Sequence, residues 1–278
     1  MPLACAATTS YRWYHNTDHP YGQLLRSHST GRLPVRSTDV GVTGTIGTMS
    51  SAAHTTGRGT SRRAEILDTF VRLVAQRGYD GTNLADVAAE VGISKGTIVH
   101  HFTSKDRMLA EHHEAYMRRR LAEAKLCLAS LHSPAEQLAG LIFAGILYQQ
   151  ADRWPTVAFQ RETVRFRDDD VMTESQRLRR EYLEMIADIV KRGMDDGTFR
   201  QDDPRLVALT LFGPLQWAWT WYDPDGRNTP EEVAATIISV CLGGLIADRN
   251  DLATLEAGGH LPTLIRAIVQ STAPPSAA

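Results

Sequence analysis

Lysine is scarce in this sequence, four residues in 278, and cysteine scarcer still, at three. Cys5, Cys127 and Cys241 are odd in number, far apart and in no C-x-x-C arrangement. That excludes a disulfide framework and a cysteine zinc site, so reduced thiols are expected. Long apolar runs are missing as well. Nothing approaches the roughly 18 to 20 residues that span a bilayer, and the opening MPLACAATTS has neither a basic n-region nor an apolar h-region. A soluble, cytoplasmic protein with no membrane partner is the expectation. There is no G-x-G-x-x-G and no Walker lysine loop, and the glycines from Gly41 to Gly47 lack a flanking strand and helix. No strand-like alternation and no internal repeat appear, which leaves an all-α chain.

What is present is an ordinary globular balance, 42% hydrophobic and 22% charged. Its charge is unevenly spread. The net charge of −2 conceals 12 Lys/Arg against 8 Asp/Glu in residues 1–107, and 18 against 24 in residues 108–278. The first part suits a polyanion and the second does not. Residues 1–59 are rich in Thr, Ser, Gly and His, and their Trp13, Tyr14 and Tyr21 follow no period, so a disordered extension is expected. Met49 opens a second candidate beginning, a short polar arm that carries Arg58, Arg62 and Arg63.

Helical periodicity starts near residue 60. Ile66, Leu67, Phe70, Val71, Leu73 and Val74 recur at helical spacing until Gly78. Thr82 reads as the cap of a second run carrying Leu84, Val87, Ala88 and Val91, which Gly92 breaks. Ser94 caps a third, very short helix with Ile98 and Phe102. Thr103 or Ser104 then starts a long helix that passes through Arg118, Arg119 and Arg120 to about Ser130. Ser133-Pro134-Ala135-Glu136 is a capping box with proline in the first turn. Further helices start near Trp154-Pro155, near Thr173-Glu174 with an end at Gly197, and at Asp203-Pro204 and Thr229-Pro230. The division expected is a head over residues 60–107, a helical body over 108–272 and a disordered tail over 273–278.

Residues 82–105, TNLADVAAEVGISKGTIVHHFTSK, carry the chemistry. Two short helices around a turn with Gly92 have the spacing of a helix-turn-helix. Ile93 and Ile98 supply the buried side of the second helix. Its other side offers Ser94, Lys95, Thr97 and His100, hydrogen-bonding groups of a length suited to phosphates or base edges. Two of the four lysines, Lys95 and Lys105, bracket this helix. Lys105 stands in the first turn of the next helix, where the dipole disfavours a cation unless an anion is near, and phosphate is the natural anion.

The run RRAEILDTFVRLVAQRGYDGTNLADVAAEVGISKGTIVHHFTSKDRML resembles the amino-terminal domain of the tetracycline-repressor (TetR) family of bacterial transcription regulators. The resemblance implies a three-helix DNA-binding head, a dimer, and a divergent helical carboxy-terminal domain that senses a small molecule. It puts Thr82 and Lys105 at positions that contact the DNA backbone, and Ser94, Lys95, Gly96, Thr97, His100 and His101 on the recognition helix. Val99 departs from the pattern, standing where the family most often has Tyr. The lost phosphate contact is then expected from His100 or the arginines of the arm. A later run, GMDDGTFRQDDPRLVALTLFGPLQWAWTWYDPDGRNTPEEVAATIISVCLGGL, is similar to the closing helices of a TetR subgroup. That subgroup includes lipid- and steroid-catabolism repressors, some of them responsive to acyl-CoA thioesters.

Other constellations in the sequence admit plainer readings. Adjacent histidines such as His100-His101 and His112-His113 point about 100° apart on a helix, and His113-Glu114-Ala115-Tyr116-Met117 has Met where a second ligand would stand, so no metal is expected. Trp217 and Trp221 share one face of their helix, with Trp219 about 200° from Trp217. Together with Ile237 they are the candidate dimer interface, plain core packing being the alternative. Gly213-Pro214 is expected to kink the same helix, either opening room for a ligand or simply bending it. Arg161 and Arg165, and Arg177 and Arg180, stand about a turn apart among Trp154, Phe159, Phe166, Tyr182 and Phe212. One reading is a solvated face paired to neighbouring carboxylates such as Glu162, Glu181 and Glu184. The other is a pocket with aromatic walls and an arginine mouth, suited to an apolar acyl group on an anionic carrier.

The expectation is a ligand-responsive transcriptional repressor, not an enzyme, with no cofactor. It would bind a pseudo-palindromic double-stranded DNA operator as a homodimer and be released by a small hydrophobic or acyl-CoA-like effector. The alternative is a helical ligand-binding or scaffold protein whose head does not bind DNA, as Val99 and the acidic body would suit.

Overall fold

A computed structural model describes residues 62–163, 170–247 and 260–272 of the chain. The expectations for 1–59 and 273–278, and those for Cys5, Arg58, Arg165 and Phe166, lie outside the described residues. Within them are ten α-helices and no strand, apart from an isolated bridge between Phe199 and Ile246.

Three short helices form the head. α1 (Arg62–Arg77) buries Ile66, Phe70 and Val74 and ends at Gly78, whose φ is +79°. α2 (Leu84–Val91) is capped by Asn83, whose Oδ1 accepts the Asp86 amide proton at 2.9 Å, and not by Thr82. Both side chains are chemically able to cap, but the Thr82 hydroxyl is already used, donating to the Gly78 carbonyl at 2.8 Å. Gly92, at φ +73°, ends α2 in the left-handed conformation that costs glycine nothing sterically. α3 (Lys95–Phe102) is capped by Ser94 and sends Ile98 and Phe102 into the same core. Thr103 follows at φ 65° and ψ −53°, with the Ser104 amide donating to the Phe102 carbonyl at 2.6 Å, which makes a γ-turn. Ser104, not Thr103, then caps α4 (Lys105–Ser130) by accepting the Arg107 amide proton at 3.1 Å.

α4 serves both parts of the fold. Met108 and Leu109 close the head core, whereas Ala124 and Cys127 belong to the core of the body. The body continues with α5 (Pro134–Ala151), α6 (Arg153–Glu162), a 3-10 turn (Asp170–Met172), α7 (Thr173–Asp195), α8 (Pro204–Trp221), α9 (Pro230–Gly243) and α10 (Leu261–Thr272). In α5, 14 of 18 residues are buried, as fits a helix apolar all round and packed by α4 and α6 to α10. Capping boxes at Ser133/Glu136 and Thr229/Glu232, and Asp203 before Pro204, start α5, α9 and α8 where their sequence signals stand. α8 continues through Gly213 and Pro214 to Trp221. α10, which the sequence reading does not mark, lays Leu261, Ile265, Ile268 and Val269 against α5 and α4.

Candidate functional site

The face of α3 opposite Ile98 and Phe102 is open to an external partner. Ser94, Lys95, Gly96 and His100 are exposed there, as is Val99, while Thr97 and His101 are half-buried. Ser94 Oγ accepts the Thr97 amide proton at 3.1 Å and lies 3.0 Å from Thr97 Oγ1, which holds two hydroxyls at a helix N-terminus. Such a terminus attracts phosphate. A Cβ on Gly96 would meet only the Ser94 hydroxyl, at 3.6 Å, so no packing among the described residues accounts for this glycine. Its bare backbone leaves room for the close approach of a ligand.

The head's cations divide into two groups. Arg62, Arg63, Arg72 and Arg77 are tied to Glu65, Glu111, Glu90 and Asp86. Arg63 also stacks on Phe102 at 4.4 Å, which corrects its expected place in a free DNA-binding arm. Lys95 and the exposed Arg107 make no ion pair among the described residues. Arg107 is the phosphate candidate that sequence reading missed, since nothing local shows which arginines of the head find carboxylates.

Thr82 and Lys105 serve the head itself. Lys105 Nζ donates to the carbonyls of Tyr79 and Thr82, each at 2.6 Å, and lies 3.8 Å from the centre of the Tyr79 ring. The Tyr79 hydroxyl donates to Asp106. The first-turn cation is therefore compensated inside the protein by carbonyl dipoles and a ring face, which corrects the expectation of a phosphate. Thr82 is fully buried, so its hydroxyl is not presented to DNA, a second correction. Both residues fix the turn that leads from α1 into α2.

Between α4, α5, α6, α7 and α8 lies a cavity of about 920 Å³, within the range that holds small organic ligands. Tyr116 and Phe159 stack at 4.4 Å along its wall, Tyr182 and Phe212 meet at 5.8 Å, and Trp217 and Trp219 at 6.5 Å. Five arginines line it, Arg120, Arg161, Arg179, Arg180 and Arg205, with no Asp or Glu among the described lining residues. Arg120 is buried, its Nη2 donating to Asp152 at 2.6 Å and its guanidinium 3.5 Å from the Tyr148 ring centre. Burial raises the Tyr148 and Tyr182 phenols above their usual range, so both stay neutral donors. Arg180 has no ion pair among the described residues, whereas Arg205 is held by Glu184.

Of the residues expected to hold a ligand, Phe159, Arg161, Arg180, Tyr182 and Phe212 line this cavity. Arg177 does not. It is bound to Glu174 and Glu181 on its own helix, because Gln176, Arg179, Arg180 and Leu183 form the stripe of α7 that faces the cavity. Trp154, 40% exposed, is also off the lining, since Phe159 occupies the cavity face of α6 about 140° further round. Arg120, Arg179, Arg205, Tyr116 and Tyr148 were missed. The triplet Arg118-Arg119-Arg120 looks uniformly solvated, and only the approach of Asp152 and Tyr148 from α5 and its end shows that Arg120 turns inward.

Trp217 and Trp221, 61% and 46% exposed, stand out from α8 together with Leu206 and Leu209, Trp217 and Leu209 at the rim of the cavity, while Trp219 is half-buried in its wall. Ile237 is buried in the body core, which corrects its assignment to a dimer interface; the outward positions of α9 are Glu232, Thr236 and Val240. His112 and His113 are buried between α4 and α6, His112 Nε2 lying 3.1 Å from the Pro155 carbonyl and the His113 ring 4.8 Å from that of Phe159. No group of three potential metal ligands occurs among the described residues. Burial pushes the Cys127 thiol up to about 12, so it is no thiolate at neutral pH. No helix among the described residues is long and apolar enough to cross a membrane.

A small helical head with an open polar recognition helix, joined to a helical body that encloses an arginine-lined cavity, defines a DNA-binding transcriptional regulator with a ligand-sensing domain. The chain belongs to the TetR family: residues 66–112 match the family described as bacterial regulatory proteins, tetR family, and residues 131–245 match the tetracyclin repressor-like C-terminal domain. It is similar to the HTH-type transcriptional repressor KstR2 of Mycolicibacterium smegmatis, 29% identical over 201 residues that cover 72% of this chain and 98% of that one. It is also similar to the structure of the ketosteroid transcriptional regulator KstR2 of Mycobacterium tuberculosis, with a TM-score of 0.63 and 27% identity over 69% of this chain and 98% of that one. AibR in complex with isovaleryl coenzyme A and operator DNA shares the fold, with a TM-score of 0.61 at 23% identity, over 65% of this chain and 97% of that one.

Proposed function

We propose that the chain is a repressor that holds a pseudo-palindromic operator as a homodimer and lets go when an apolar acyl group on an anionic carrier enters the cavity. A coenzyme A thioester is the class that fits. The observation that carries this reading is the arginine lining of the cavity, five guanidiniums with no carboxylate among its described lining residues: Arg120, Arg161 and Arg205 are paired with carboxylates behind the wall, and Arg180 makes no ion pair among the described residues. They sit in a body, residues 108–278, that has 18 Lys/Arg against 24 Asp/Glu. An acidic body repels a multiply charged anion at long range, so local guanidiniums must hold it, and their forked donors match phosphate oxygens. The aromatic walls suit the acyl part, each Å² buried contributing about 25 cal/mol before the costs of association.

In this reading Arg161, Arg179 and Arg180 hold the carrier, and Phe159, Tyr182 and Phe212 surround the acyl group. Ser94, Lys95, Gly96, Thr97, His100 and His101 meet the operator together with Arg107, and Trp217 and Trp221 meet the second subunit. The head spans residues 60–107 and the body 108–272. Two recognition helices then enter successive major grooves about 34 Å apart, and the effector favours a spacing that fits only one. The protein acts in the cytoplasm, at the nucleoid, by binding and not by catalysis. The sign, repression, follows the relative that bears that description.

Recovery of genomic fragments on the full-length protein identifies the operator. Coenzyme A thioesters, from isovaleryl to steroid-derived acyl groups, are then compared with their free acids. A thioester at a hundredfold excess over its Kd adds about 2.7 kcal/mol of stability, a rise of several degrees in Tm, and releases the fragment. Free acids acting equally well, or no thioester acting, overturn the effector class; no retained fragment overturns the repressor.

A further inference from the structure

α6 belongs to two parts of the molecule at once. Its Ala158 is buried in the head core, while the next residue, Phe159, stands in the cavity wall. Arg161 lines the same cavity, yet its Nη1 donates to the Ala75 carbonyl in the last turn of α1 at 3.2 Å. That carbonyl is among the last four of α1, which have no amide partner inside the helix; the Val74 carbonyl is taken by the Gly78 amide at 2.8 Å. A guanidinium here serves both an orphan acceptor and the negative end of the helix dipole.

The seat is shaped for this group. A Cβ on Gly78 would lie 2.7 Å from Arg161 Nη2, so glycine is what leaves room for the guanidinium. Beside it the buried Glu162 accepts the Tyr79 amide proton at 2.9 Å. Two consecutive residues at the end of a cavity helix thus grip residues 75–79, the exit of α1. From there the Thr82 hydroxyl on the Gly78 carbonyl and the Lys105 ammonium on the carbonyls of Tyr79 and Thr82 tie the grip to the start of α2.

We infer that Arg161 is the positioning residue that couples the cavity to the operator face. Seated on α1, it holds the turn that presents α2 and α3 to DNA; an anionic group in the cavity draws the same guanidinium away and frees the turn. Arg161 Nε also lies 3.8 Å from the Glu162 carboxylate, beyond hydrogen-bond distance, so an effector anion competes with a neutral carbonyl at Nη1 and with this loose ion pair, and charge-assisted hydrogen bonds to its oxygens outweigh the carbonyl contact. The inference rests on the anionic effector proposed above, and adds the residue through which that effector acts.

A double-mutant cycle tests the seat with no effector present. Arg161→Ala empties the seat and Gly78→Ala fills it with a methyl group. On the operator fragment recovered from the genome, each full-length variant should bind about tenfold more weakly, and the double variant no worse than Gly78→Ala, because both changes remove one contact. Backbone strain of alanine at position 78 is common to Gly78→Ala and the double variant, so it leaves this comparison intact. Melting temperatures separate misfolding from uncoupling, and Arg161→Lys, which keeps a charged donor, should recover operator binding. Losses that multiply in the double variant, or parental affinity in Arg161→Ala, overturn the inference. Release by free acids would instead count against the effector class, so the two failures are told apart.

Discussion

Lys105 and Tyr79 form one unit, the ammonium lying 3.8 Å from the ring centre and 2.6 Å from the carbonyl oxygen of the same residue. Loss of a charge-assisted hydrogen bond and a cation–π contact in a partly buried place costs on the order of 1 to 3 kcal/mol. Lys105→Met should therefore lower the melting temperature by several degrees. Lys95, exposed and outside any ion pair among the described residues, should behave in the opposite way. Lys95→Ala leaves the melting temperature unchanged and makes the salt dependence of operator binding shallower by about one unit of slope. A Lys105 variant with parental stability and a shallower slope would return that residue to the DNA.

Thr103 sits at φ 65° and ψ −53°, a conformation that a β-branched residue adopts only under strain. Glycine takes it without steric cost, and its greater freedom in the unfolded chain offsets part of the gain. Thr103→Gly is expected to stabilise the protein by on the order of 1 kcal/mol, read as a higher denaturant midpoint at unchanged m. A lower midpoint would mean that the threonine side chain contributes more than its backbone costs.

Most helix starts were legible because capping is local. Ser94, Ser104, Ser133 with Glu136 and Thr229 with Glu232 each satisfy amides three residues on, so the sequence carries the whole signal. Thr82 and Asn83 were not separable this way, since the choice turns on the Gly78 carbonyl of the preceding turn. The aromatic and arginine cluster around Phe159, Arg161, Arg180 and Tyr182 was legible from spacing along α6 and α7. Which arginines turn inward was not. Arg120 and Arg177 differ through partners on other helices or on their own, and Ile237 is buried because α5 lies on its side of α9, whose apolar residues extend onto the outward face at Val240.

Trp217 and Trp221 present large apolar surface on α8. If a second subunit covers this face, Trp217→Arg or Trp221→Arg places a charge without a partner in a dry interface. Sedimentation should then find monomers for at least one variant, with the helical circular dichroism of the parent and little operator binding. Native-size dimers for both variants would move the interface to another face.

Burial lowers both His112 and His113, His112 to about 4, so the folded protein keeps these imidazoles neutral where the unfolded chain would charge them. The sign follows from proton counting. Above the unfolded value of about 6.5 neither state is protonated and their contribution to stability is complete. Between there and about 4 the unfolded chain binds protons that the folded His112 refuses, so stability falls on acidification by up to about 1.36 kcal/mol per pH unit for each such group. His112→Gln keeps a donor for the Pro155 carbonyl and removes the titration. Its melting temperature should drop less than the parent's between pH of about 7 and about 5. Parallel curves for the two proteins would show that His112 carries none of the acid sensitivity.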